Sequence, residues 1–131
     1  MAANLKPIFP LTPLATPVAI STANTNRDGS GTIGTVLTPG ADGTRVDGVR
    51  IQATGTTTAG VVRLFVRASA GGTWFLLAEI LVTAVTPSTT IQAWSYDWLT
   101  RVPLVLATGN LLGASTHNAE TFNVHPMAGN Y

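Results

Sequence analysis

Apolar and polar residues alternate with a period of two along most of this chain, and the alternation is clearest from Gly60 to Val85. Val62, Leu64 and Val66 are interleaved with Arg63, Phe65 and Arg67, which in an extended strand puts aliphatics on one face and guanidinium groups on the other. A cationic strand face has to be wet or bound. A second run from Trp74 to Val82 has Glu79 as its one charge and predicts a strand buried on both sides or facing a partner subunit. Ser69-Ala70-Gly71-Gly72 separates the runs, with glycines able to take the positive φ of a hairpin loop.

The same reading extends to both sides of this hairpin. Val18 to Thr22 and Thr32 to Leu37 predict short strands around an Asx- and Gly-rich loop, Asn24 to Gly31. Thr44 to Thr54 predicts a strand with Val49, Ile51 and Ala53 inward and Arg50 and Gln52 outward. Thr89 to Leu99, Val102 to Ala107, Asn110 to Ser115 and Glu120 to about Met127 follow, the last with Phe122 and Val124 on one face and Asn123 and His125 on the other. No segment carries a helical period. About eight or nine antiparallel strands in two layers predict an all-β, jelly-roll-like sandwich, although an eight-stranded Greek-key barrel leaves the same pattern.

Met1 to Pro17 breaks the alternation. Pro7, Pro10, Pro13 and Pro17 recur at nearly three-residue spacing, which favours extended polyproline II, and Ile8, Phe9, Leu11 and Leu14 lie between them. The predicted organisation is an extended Pro-rich arm over residues 1–17 and a β-sandwich domain over residues 18–131. The arm either packs along its own domain or reaches a neighbouring subunit.

Composition sharpens the picture. The chain has 131 residues, the size of one domain. Apolar residues make up 45% and charged residues only 10%, so much of the surface is uncharged. Seven Lys and Arg stand against six Asp and Glu, which leaves no basic footprint for nucleic acid. There is no cysteine and so neither a disulfide nor a thiolate metal site. Prolines interrupt the N-terminus, so no signal-peptide core is predicted, and no window approaches a membrane span.

Candidate chemistry is sparse. No Gly-x-Ser-x-Gly or Cys–His pattern is present, and the glycines open strands rather than phosphate-binding helices, so no enzymatic activity and no cofactor are expected. His117, Glu120 and His125 fall near one turn, but turn chemistry at His117-Asn118 and an edge charge at Glu120 account for them without a metal. Trp94, Tyr96 and Trp98 project from one face of a strand. They suit either a flat sugar-stacking platform, as in a carbohydrate-binding module of a phage tail or secreted protein, or the core face of the sheet. Arg50, Arg63 and Arg67 suggest a cationic face, or a solvated sheet surface paired with Glu79.

Gly60 to Val66, Glu79 to Ser88 and Gly113 to Val124 share a pattern over strands, with no catalytic signature. On these segments the chain, from Asp47 to the C-terminus, resembles capsid decoration, or cement, proteins of tailed bacteriophages. The resemblance implies a jelly roll, a homotrimer, the major capsid protein as partner, and a place on the outer capsid surface of the virion, bridging neighbouring capsomers. The expected contacts to capsid or subunit are Ile8, Phe9, Leu11, Leu14, Arg63, Arg67 and Trp74.

Overall fold

The computed structural model describes residues 9–131 and contains nine β-strands and, among the described residues, no helix. In chain order they are β1 (Thr12–Leu14), β2 (Val18–Ile20), β3 (Gly34–Leu37), β4 (Thr44–Ala53), β5 (Gly60–Arg67), β6 (Phe75–Val82), β7 (Ser95–Leu106), β8 (Leu111–Thr116) and β9 (Phe122–Asn130). One sheet has the order β1-β9-β4-β7, with β2 also on β9, and the other has β3-β8-β5-β6. All the strand pairings are antiparallel.

The wiring follows from where each connection goes. Only β5 to β6 is a hairpin within one sheet; every other link from β2 to β9 crosses between layers. The orders β2-β9-β4-β7 and β3-β8-β5-β6 facing one another are those of a jelly-roll sandwich. The two inner faces supply one core, with Val46, Val49 and Ile51 of β4 opposite Val62 and Leu64 of β5 and Leu112 of β8, all fully buried. Phe122 and Val124 are also buried, so the alternation in β4, β5 and β9 points inward as the pattern predicts. Phe122→Ala would leave a cavity in this layer, with a cost of about 3–5 kcal/mol.

Two features depart from the sequence reading. Thr89–Leu99 and Val102–Ala107 are not two strands: β7 runs unbroken through both, and Thr89 to Trp94 lies outside it. The apparent break is a bulge. Opposite β4 the register moves from Gly48↔Leu99 to Val46↔Leu104, so residues 100–103 loop out across from Asp47, held by Thr100 Oγ1 donating to Asp47 O at 3.0 Å. An insertion of this kind shifts which residues face inward, and this erases the simple alternation.

The second departure is at the arm. Thr12↔Asn130 and Leu14↔Ala128 of β1 continue the register of Val18↔Val124 and Ile20↔Phe122 of β2, so both short strands lie along one edge of β9. The sheet therefore starts at Thr12, not at Val18. Pro13 fits because an edge strand has no neighbour on one side to receive its missing N–H. Leu14 is half-buried against the core, whereas Phe9 and Leu11 are 71% and 82% exposed. Ile8 lies outside the described residues.

Candidate interaction surface

Arg63 does not form an open cationic face. It points out of the β3-β8-β5-β6 sheet, as the alternation requires, yet it is 1% exposed because the loop from Asn24 to Gly31 folds over it. Its Nε donates to Glu79 Oε1 at 3.0 Å, its Nη1 to the Asn24 carbonyl at 3.2 Å, and its Nη2 lies 3.4 Å from His117 Nδ1. A guanidinium has donors only, so His117 Nδ1 is the acceptor of that contact. The covering loop closes on itself through Asn24, whose Nδ2 donates to the Ser30 and Thr32 carbonyls at 3.0 Å each. Asn24 N also donates to Thr116 O at 2.8 Å.

Beside this polar cluster lies a small apolar one. Phe65, Trp74 and Leu111 are buried together on the outer face of the sheet, with Ile33 against them. The Trp74 indole lies over Gly113, where a Cβ would sit 2.7 Å from the ring, so the bare backbone is what admits it. Arg67 stacks on the same indole at 4.3 Å from its centroid. At the loop tip Gly29 has φ of +86° and would place a Cβ 2.2 Å from the Trp74 carbonyl oxygen. Arg63 and Trp74 thus hold the protein's own loop against its sheet, and Arg67 lies half-buried on the Trp74 ring.

Arg27 reaches the same carboxylate from the loop. Hydrogen bonding from Arg27, then from Arg63, holds the Glu79 carboxyl below the ordinary glutamate range, against partial desolvation. A depressed carboxylate contributes stability that is present above the unfolded-state value, about 4.3, and is lost as pH falls through the lower folded-state value. Asp28, lowered by Ser30, acts in the same direction. Urea unfolding followed from pH 7 to pH 3 should show a plateau and then a decline below about pH 4.3. Glu79→Gln should remove part of that decline, and identical pH profiles for the two proteins would rule out the contribution.

The aromatic row faces the core at the open end of its sheet. Trp94 is buried and meets Phe122 edge-on, with centroids 5.7 Å apart and an interplanar angle of 87°. Trp98 is half-buried against the core, and Tyr96 stacks on Trp94 at 6.4 Å and is 47% exposed. Only one ring of the three is open, so the row is not a flat sugar platform. Arg50 lies on the opposite face, bound to both Asp97 oxygens at 3.0 Å.

His117, Glu120 and His125 do not converge. His117 faces Arg63, Glu120 Oε1 accepts from Thr58 N at 2.8 Å, and His125 pairs in register with Arg50 on the other sheet. Among the described residues, no three His, Cys, Asp or Glu side chains group to hold a metal.

A group of exposed apolar residues lies on the two strands where the sheets end. β2 lies beside β3 at one side of the sandwich, which leaves β6 and β7 as the edges at the other. There Phe75, Leu76, Leu77 and Leu81 of β6 and Leu99, Val102 and Val105 of β7 are exposed. The second hairpin arm is thus an edge strand with Ile80 and Val82 inward and its leucines outward. Edge strands are ordinarily protected by charge, and Glu79, the one charge of β6, is taken up by Arg27 and Arg63.

No protein-family model matches the chain, and no curated protein matches it. Solved structures similar to it include two pentameric capsid proteins isolated from metagenomic phage sequences. The first, solved by iodide SAD phasing, aligns over 90% of this chain and 67% of its own, with 19% identity and a TM-score of 0.45. The second aligns over 90% of this chain and 59% of its own, with 18% identity and a TM-score of 0.43.

Proposed function

We propose that this chain is a structural virion protein of a tailed bacteriophage. In this reading it is a decoration subunit that assembles as a homotrimer, sits on the outer capsid surface, contacts the major capsid protein and bridges neighbouring capsomers. The observation that carries the reading is the pair of open edges: β6 exposes Phe75, Leu76, Leu77 and Leu81, and β7, in the facing sheet, exposes Leu99, Val102 and Val105. An edge strand with exposed leucines and no free charge offers a surface for a partner, and a capsid lattice presents partners at high effective concentration. The buried Arg63 cluster fits a role in packing. The phage partner itself comes from the resemblance over Asp47 to the C-terminus.

The test has two parts. Sedimentation equilibrium at micromolar concentration should give a trimer, and a monomer would remove the self-assembly claim. Purified protein mixed with bare phage shells should occupy them at saturable, repeating sites and raise their resistance to heat. Shells that remain bare at saturating protein would remove the decoration claim.

A further inference from the structure

We infer that the N-terminal arm of one copy docks on the exposed β6 edge, Phe75 to Leu77, at the open side of the next copy, so that copies join head to tail in a closed ring. The inference rests on the self-assembly part of the proposed function and names the two surfaces that meet. β1 and β7 are the opposite edges of one sheet, so the arm leaves one side of the molecule and the open flank lies on the other. Donor and acceptor at opposite edges make a heterologous contact, which repeats from copy to copy and closes if the rotation permits.

The arm and the β6 edge also lie at the same height along the sandwich. Leu11 N donates to Asn130 O at 2.7 Å, so the chain before β1 leaves at the C-terminal end of β9. There Thr44 pairs with both Asn130 and Leu106, which puts the arm's exit level with the end of β7. The turn after Leu106 leads into Leu111, which pairs with Arg67, and the neighbouring Val66 pairs with Phe75. Phe75 and Leu76 therefore lie at the end where the arm emerges. Donor and acceptor at one level favour a flat ring over a rising helix.

Phe9 and Leu11 bury little on their own domain, and residues 8–11 and the edge segment 75–77 are uncharged. Joining them desolvates no charge. Pro7 and Pro10 restrict the arm before it docks, which lowers the entropy lost on ordering it.

The absence of cysteine makes the contact directly readable. Phe9→Cys and Leu76→Cys proteins, mixed and mildly oxidised, should give a covalent heterodimer at least tenfold above the homodimer from either alone. The double variant should give a ladder ending at the ring. A variant lacking residues 2–9 should keep its thermal unfolding transition and lose at least tenfold in association affinity. An internal disulfide in the double variant, showing the arm on its own flank, would overturn the inference. So would a Leu76→Cys homodimer, no cross-link at all, or unchanged association without the arm. Shell occupancy is scored separately, so a cross-linked ring that leaves shells bare would sink decoration and leave the ring standing.

Discussion

Trp74→Ala is expected to destabilise the domain by about 3–5 kcal/mol, the cost typical of truncating a large buried aromatic. The indole is 9% exposed and covers Phe65 and Leu111, lies on the bare backbone of Gly113, and carries Arg67 on its face. Its removal uncovers the outer apolar cluster and takes away the ring that anchors the Trp74 backbone on which Gly29 rests. Urea unfolding should record the loss, and limited proteolysis should cut first between Asn24 and Gly31. A loss below about 1 kcal/mol, the scale of an ordinary surface substitution, would show that the cluster collapses around the gap or contributes little.

Arg63→Ala should cost about 3 kcal/mol, the lower end of the range for removing one partner of a buried ion pair. The lower end applies because Glu79 keeps Arg27 and is 31% exposed. The Asn24 carbonyl and His117 Nδ1 lose their donor as the side-chain volume disappears. Arg63→Lys should recover only part of the loss, since an ammonium on a flexible stem cannot reproduce the planar fork that spans Glu79, Asn24 and His117. Equal stability of the lysine variant and the parent would mean that charge alone matters there. Lysine no better than alanine would mean that the fork geometry accounts for the whole contribution.

These two residues also show where linear pattern is blind. The period of two placed Arg63, Phe65 and Arg67 on the face of β5 away from the core, and they are there. Exposure did not follow from facing outward. A loop of polar residues, read from its Asx and Gly content as an ordinary connection, returns over that face and buries it. The glycines at 29 and 113 were the trace left in the sequence, because close approach of backbone to Trp74 excludes a side chain at both. Alternation cannot say which distant segment makes that approach.

The strands, the antiparallel sandwich and the inward residues of β4, β5 and β9 were determined by the sequence alone, because a period of two over β-forming residues assigns faces without reference to neighbours. Tertiary structure alone decided the rest. It joined β7 across its bulge, laid Thr12–Leu14 along β9 in the register of β2, and turned Trp94 into the core. It also left β6 and β7 as the open edges. The physical reason is that local alternation fixes the two faces of a strand, whereas its neighbours are chosen by contacts between residues far apart in the chain. Whether an outward leucine is covered by a loop, as Leu111 is, or left bare, as Leu81 is, depends on those distant contacts.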